Sequence, residues 1–198
     1  MEVLLEGAKN AAIGLPPLLR YKYKVEEVVP HPNYNVTSRE NDLALIRLSA
    51  EIPFNASSEI KPICLPFEDG YGVWDALPKD GETAYLGGWG YGLKNMAAQI
   101  EEMDQAAVTI WPKDNCTHSY RGDRAKKITP KHICAYGKAE RDACRGDNGG
   151  PLMALMTRQR IFFQIGIVSY GPRCGYGVPG VYTRVSEYLS WILDTMDP

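Results

Sequence analysis

The sequence predicts an all-β fold with a single helix at its C-terminal end. The chain contains 19 glycines and 14 prolines among 198 residues, which interrupts it too often for long helices. Two apolar runs rich in β-branched and aromatic residues, Leu43–Leu48 and Ile161–Tyr170, have the length and composition of strands. The one convincing helical pattern is confined to the last fourteen residues. Short strands joined by turns are therefore expected along most of the chain.

Weaker patterns complete this set of elements. Thr83–Trp89 and Ala106–Trp111 are shorter candidate strands. The first 20 residues carry no clear pattern, although Val3–Asn10 loosely resembles a strand. The C-terminal helix is predicted from apolar residues at helical spacing, which we expect to pack together on the body: Val185, Leu189, Ile192, Leu193 and Met196.

Composition excludes several classes of function. The formal net charge is −2 and no long run of lysine or arginine is present, so we expect no nucleic-acid partner and no anionic membrane surface. No stretch approaches the roughly 18 consecutive apolar residues of a membrane-spanning helix. Met1–Asn10 lacks the layout of a signal peptide, so no secretion signal is expected in this chain.

The cysteines nevertheless predict an oxidising, extracellular environment. The five cysteines include no C-x-x-C pair, so zinc spacing is absent and no metal site is expected. Disulfides are the better interpretation, and they form outside the cytosol. Three N-glycosylation sequons, at Asn35, Asn55 and Asn115, support the same location. The odd number of cysteines leaves one thiol free or paired outside the chain.

The segment Asp142–Leu152, with the sequence DACRGDNGGPL, resembles the nucleophile loop of trypsin-like serine proteases. That loop contains Gly-Asp-Ser-Gly-Gly-Pro in the family, and here asparagine stands in the serine position. Further motifs follow the family in order: NDLALIRL from Asn41, PICLP from Pro62, GGWG from Gly87, VSYG from Val168 and PGVYTRV from Pro179. The match is continuous over residues 22–198 and poor over 1–21. Within the family it is most similar to arthropod clip-domain proteases and their inactive homologues.

The resemblance implies a chymotrypsin-like fold of two antiparallel β-barrels, with the site in the crevice between them. Residues 1–198 would form a single peptidase-like domain, truncated at its N-terminus, with an incomplete first barrel and a C-terminal α-helix. An unclosed barrel exposes strand edges and favours aggregation. A truncated product with no stable fold is therefore one hypothesis for this chain.

The resemblance also assigns catalytic positions. Asp42 matches the acid of the Ser-His-Asp triad, although a strand-capping carboxylate on the surface is the alternative interpretation. Asn148 occupies the nucleophile position, and the backbone N–H groups of Gly146 and residue 148 would form the oxyanion hole. The family places base and acid about 45 residues apart, whereas 41 residues precede Asp42 and none forms an Ala-Ala-His-Cys motif. The catalytic histidine is therefore absent, and His31 is not expected to replace it.

Other positions receive roles by the same resemblance. Asp147 matches the acid that pairs with the new amino terminus after zymogen cleavage. Four residues match the pocket carboxylate, the edge that pairs with the substrate backbone and the two open pocket walls: Asp142, Ser169, Gly171 and Gly180. These four imply a pocket for a basic side chain, although Asp142 could also be a plain surface charge.

The implied disulfides are Cys116 with Cys134 and Cys144 with Cys174. Cys64 then remains, at the position that commonly ties the catalytic domain to an upstream propeptide. His118 and His132 are expected to be loop histidines without a metal.

The sequence thus favours a secreted protease homologue that is catalytically inactive and binds a protein partner in an extracellular proteolytic or immune cascade. No cofactor is expected. The alternative is an active endopeptidase cleaving after lysine or arginine, here in a truncated or altered form. The partner or substrate would in either case present a basic residue.

Overall fold

The computed structural model describes residues 1–6, 20–54, 61–67, 78–90, 103–122, 127–137, 143, 146–156, 160–172 and 177–196. In this part of the chain the strands are β1 Glu2–Glu6, β2 Arg20–Pro30, β3 Ala44–Leu48, β4 Thr83–Gly88, β5 Asp104–Trp111, β6 His132–Gly137, β7 Pro151–Met156, β8 Ile161–Tyr170 and β9 Gly180–Arg184. The helices are α1 Lys113–Ser119, a 3-10 turn Val185–Tyr188 and α2 Leu189–Met196. The predicted all-β class with a C-terminal helix is confirmed, but the prediction of a single helix is wrong, because the seven residues of α1 also form a helix.

A first compact unit comprises Met1–Pro32 and Ala44–Pro62. It contains a three-stranded antiparallel sheet in the order β1-β2-β3. The long strand β2 pairs with both neighbours, and a register shift between Val25 and Glu27 interrupts its ladder with β3. This open sheet corresponds to the incomplete first barrel that the resemblance implied.

A second compact unit comprises Asn33–Leu43 and Ile63–Pro198. Six strands close into a barrel in the order β4-β5-β6-β9-β8-β7, and every neighbouring pair is antiparallel. Closure satisfies both edges of every strand and so removes the exposed edge of an open sheet. The barrel interior is filled by small and branched side chains around one tyrosine: Ala84, Leu86, Val108, Ile110, Ile133, Ala135, Leu152, Ala154, Ile165 and Tyr182.

The C-terminal helix differs from its predicted packing. Val185 and Ile192 are buried as expected, but Leu193 and Met196 are 51% and 62% exposed. The chain enters this region through a 3-10 turn, which has about 3.0 residues per turn rather than 3.6. Val185 therefore departs from the α-helical spacing that the prediction assumed, while Leu193 and Met196 lie in the last turn of α2 and face solvent.

One disulfide, Cys116–Cys134, joins α1 to β6 within the described residues. Both half-cystines are buried, together with Ile128 and Val181. Cys64 is a free, exposed cysteine. The implied pairing of Cys144 with Cys174 lies outside the described residues.

The expectation of two loop histidines is wrong. His118 lies in α1, and His132 begins β6 with only 4% of its surface exposed. The backbone N–H of Thr129 donates to His132 Nδ1 at 3.1 Å, which assigns that nitrogen as the acceptor of a neutral ring. Burial lowers the pKa of His132, although a hydrogen bond with the Arg39 backbone acts in the opposite direction.

We expect acid to destabilise the fold through His132. Because its native pKa lies below the ordinary 6.5, the unfolded chain binds more protons than the native chain below that pH. The free energy of unfolding should therefore fall as the pH falls from about 7 toward 5. In His132→Gln the slope of unfolding free energy against pH should be smaller by up to about 1.4 kcal/mol per pH unit, which is the limit for one proton.

Urea unfolding across this pH range measures the slope, with exposed His118→Gln as the matched control. Equal slopes in the two variants would show that His132 does not carry the effect.

Candidate functional site

Asp42 lies at the end of the segment Asn33–Leu43 and is held there through its neighbour Asn41. Asn41 is 8% exposed and has a left-handed backbone, with φ of 56°. Its Oδ1 accepts hydrogen bonds from Lys131 Nζ at 2.9 Å and Tyr188 Oη at 3.1 Å, and its Nδ2 donates to the Asn33 carbonyl at 2.7 Å. Burial raises the pKa of Tyr188 to about 12, so this hydroxyl stays a donor at physiological pH. The loop that presents Asp42 is thus tied to Lys131, the residue just before β6, and to the 3-10 turn.

The Asp42 carboxylate contacts the hydroxyl of Ser169. Ser169 Oγ donates to Asp42 Oδ2 at 2.6 Å, and Thr183 Oγ1 donates to the Asp42 carbonyl at 2.8 Å. Both hydroxyl residues are buried, on β8 and β9 respectively. The sequence interpretation gave Ser169 a role only at the substrate-binding edge, so its hydroxyl contact with the acid was missed. No local pattern signals a contact between residues 127 positions apart.

The loop 146–150 is folded by its glycines. Gly146 and Gly149 have φ of 96° and 82°, a region that side chains disfavour. The Gly150 N–H donates to the Asp147 carbonyl at 2.8 Å, closing a tight turn. The Gly149 N–H donates to the Val168 carbonyl at 2.9 Å, and Val168 in turn donates to the Gly150 carbonyl at 2.9 Å. These bonds fix the loop against the end of β8.

Asp147 folds back onto the segment that follows β4. Its Oδ1 accepts a hydrogen bond from the Gly90 N–H at 2.9 Å. A Cβ atom added at Gly88 or Gly90 would overlap the Asp147 carboxylate, so the contact requires glycine at both positions. The GGWG motif that begins at Gly87 contains both glycines, but the sequence alone does not link this motif to Asp147. The role of Asp147 in activation stays a prediction.

Asn148 is exposed, and its side chain points toward β8. Its Nδ2 donates to the Ser169 carbonyl at 2.6 Å. The carboxamide nitrogen is delocalised into its own carbonyl and carries no lone pair that a base could expose for attack. The structure therefore brings Asn148, Ser169 and Asp42 into one hydrogen-bonded chain that contains no nucleophile at position 148.

The two glycines expected at the pocket walls approach each other. A Cβ at Gly171 would lie 3.3 Å from the Gly180 Cα, which leaves no room for a side chain without movement of the neighbour. Gly180 itself begins β9 and is buried. Asp142, the expected pocket carboxylate, lies outside the described residues.

In the part of the chain that the structure describes, no three His, Cys, Asp or Glu side chains are grouped to hold a metal ion. None of the helices described there combines the length and the apolar character that a membrane crossing requires.

Comparisons with known proteins agree on one family. A family model described as Trypsin matches residues 19–192. The chain is 36% identical over 177 residues to CLIP domain-containing serine protease HP8 of Bombyx mori, covering 87% of this chain and 46% of that protein. It is also 36% identical to Serine protease ea of Drosophila melanogaster, covering 99% and 48% respectively, and 38% identical to Melanization protease 1 of the same organism, covering 86% and 42%.

The curated relatives are longer than the chain, which spans about half the length of each of them. Among solved structures, neuropsin, described as a serine protease expressed in the limbic system of mouse brain, matches with a TM-score of 0.71 and 30% identity. That match covers 90% of this chain and 73% of neuropsin.

We expect Gly90→Ala to destabilise the protein by about 2 kcal/mol, the usual scale for overpacking a buried position. Its added methyl group would displace the Asp147 carboxylate and loosen the 146–150 loop. Gly122→Ala is the matched control, because a Cβ there meets no atom within 4 Å, and its effect should stay within about 0.5 kcal/mol. Chemical denaturation measures both, and equal losses in the two variants would contradict the proposed clash.

Proposed function

This chain belongs to the trypsin family of serine proteases, and from that premise we propose that it is an extracellular cascade component that binds protein without cleaving it. The observation that carries the proposal is Asn148 at the nucleophile position, hydrogen bonded to the Ser169 carbonyl at 2.6 Å. We assign Asp42 to the former triad acid, and Gly146 with residue 148 to the former oxyanion hole.

The expected loss of activity is large. Removal of the serine or the histidine from such a triad lowers turnover by about 10⁶, and loss of both costs little more because they act as a unit. Residual stabilisation by the oxyanion hole is worth about 10³ to 10⁴ over water, which is too little for useful proteolysis. In addition, none of the 41 residues that precede Asp42 in this sequence forms an Ala-Ala-His-Cys motif, so we assign no base among them.

Binding is favoured because the surroundings of the lost nucleophile remain ordered. Gly146 keeps a positive φ, and the Gly149 N–H stays bonded to β8. If the conformation of this loop served no purpose, glycine would not be required at these positions. We assign Asp142, Ser169, Gly171 and Gly180 to a recognition pocket for a lysine or arginine side chain of the partner.

Cys64 supports attachment to a further polypeptide. It is exposed and free in the described part of the chain, and its carbonyl accepts the Gln164 N–H of β8 at 2.9 Å, which fixes its position on the barrel. The relatives are about twice as long as this chain. We propose that Cys64 forms a disulfide with an upstream propeptide or clip-type segment.

The names of the relatives support a place in a cascade. They include Melanization protease 1 of Drosophila melanogaster and Phenoloxidase-activating factor 3 of Holotrichia diomphalia. Extracellular location is supported by the Cys116–Cys134 disulfide and by the exposure of sequon residues Asn35 and Asn115. The third sequon, at Asn55, lies outside the described residues.

A second candidate function is an active endopeptidase that cleaves after lysine or arginine. The names of the relatives favour it, because several are called serine proteases. A single base change can separate serine from asparagine. The binding proposal is preferred because it is consistent with asparagine at position 148, whereas the endopeptidase would need serine there.

We expect the 198-residue chain to hydrolyse no arginyl or lysyl amide substrate and to take no label from serine-directed phosphonates. Asn148→Ser should remain inactive in this chain, because restoring the hydroxyl does not restore a base. Substrate turnover and mass spectrometry measure these outcomes, with active trypsin as the positive control. Hydrolysis or labelling by the unmodified chain would refute the proposal.

We expect benzamidine to bind the chain weakly through Asp142, because an amidinium pairs with a carboxylate through charge-assisted hydrogen bonds. Calorimetric titration should show binding that is lost in Asp142→Ala. Asp114→Ala, at an exposed position of α1, serves as the matched control and should bind as the unmodified chain does. Unchanged binding in Asp142→Ala would show that the pocket assignment is wrong.

A further inference from the structure

The backbone of Ser169 lies where the pairing of β8 becomes irregular. The ladder with β7 ends at Ile167, opposite Pro151. On the other side, Val168 and Tyr170 lie opposite consecutive residues of β9, so Ser169 is the additional residue of a β-bulge. Bulged positions leave the regular ladder of a sheet. The Ser169 carbonyl is thus an acceptor at a strand end, where an extended peptide could add by main-chain hydrogen bonding.

The Asn148 side chain is bonded to this same carbonyl. Its Nδ2 donates at 2.6 Å, and a carboxamide N–H is the same kind of donor as a peptide N–H. An incoming peptide that offers its backbone N–H to Ser169 must therefore compete with a donor that the protein already supplies.

The surrounding contacts determine which partner of this bond can move. Ser169 is 7% exposed and its hydroxyl is fixed on Asp42 at 2.6 Å, so its backbone cannot turn away readily. The main chain beside Asn148 is also fixed, since Gly149 and Gly150 are both hydrogen bonded to Val168. Asn148 itself is exposed. Rotation of its side chain is the simplest motion that frees the carbonyl.

We propose that Asn148 caps the Ser169 carbonyl against extended peptides, in addition to lacking nucleophilic chemistry. This inference rests on the proposed function, because it concerns how the same pocket would receive a partner with a basic residue. Docking at the end of β8 then requires the carboxamide to swing out. A partner that offers an acceptor to the displaced Nδ2 is favoured over one that does not, because it replaces the hydrogen bond that is lost.

The test compares peptide binding to the unmodified chain, Asn148→Ala and the control Asn115→Ala, which changes an exposed asparagine of α1. The probe is acetyl-Ala-Ala-Arg-amide, and its matched analogue carries an ester oxygen in place of the arginine N–H. Calorimetric titration should show Asn148→Ala binding the amide probe about fivefold more tightly than the unmodified chain, the scale of one net hydrogen bond. The ester analogue should bind these two proteins equally, and Asn115→Ala should match the unmodified chain with both probes.

Asn148→Asp provides a second variant, because aspartate keeps the shape of the side chain but cannot donate. The ratio of its affinity for the amide probe to its affinity for the ester analogue should be higher than the same ratio for the unmodified chain. That comparison removes the general attraction between the new carboxylate and the arginine, which both probes share.

Two results would overturn the inference. One is an equal gain for the amide and ester probes in Asn148→Ala, and the other is no tighter amide binding in that variant, including no binding at all. Benzamidine separates this failure from failure of the proposed function, because it offers no peptide N–H to Ser169. If benzamidine still binds, the pocket stands and only the capping role of Asn148 is lost.

Discussion

The barrel closes through the pairing of β4 with β7, and the geometry of the candidate site depends on this closure. The segment that follows β4 reaches the loop that precedes β7, and there Gly90 donates to Asp147. The next pair in the barrel, β7 with β8, holds the 146–150 loop against Val168. The pair after that, β8 with β9, presents Ser169 and Thr183 to Asp42. Each contact joins residues far apart in sequence, so it depends on the pairing of strands and not on local sequence alone.

Strand composition alone identified part of this barrel. Ile161–Tyr170 was predicted with both boundaries of β8, and β4 and β5 were predicted to within two residues, because their β-branched and aromatic residues suit a pleated, half-buried surface. β7 was missed, since its sequence PLMALM consists mainly of good helix formers. Pairing with β4 and β8 overrides that local preference. β6 was missed for a related reason, because its histidine and cysteine do not belong to a strand pattern.

The sequence predicted which residues belong to the site but not which of them contact one another. Motif resemblance pointed to Asp42, Asn148 and Ser169, and the structure joins these three through hydrogen bonds of 2.6 Å. The direction of those bonds could not be predicted, because they depend on a β-bulge and on a left-handed residue at Asn41. Asparagine at position 148 offers no nucleophile and supplies an amide donor, and this one residue underlies both the expected inactivity and the proposed cap on the Ser169 carbonyl.

The most direct test of the account is the identity of residue 148 in the natural gene product. Sequencing the native transcript across codon 148 gives that identity without any assumption about folding or activity. The account predicts an asparagine codon, which excludes triad catalysis whatever else the full transcript encodes. A serine codon would contradict it and would identify the natural product as a candidate endopeptidase.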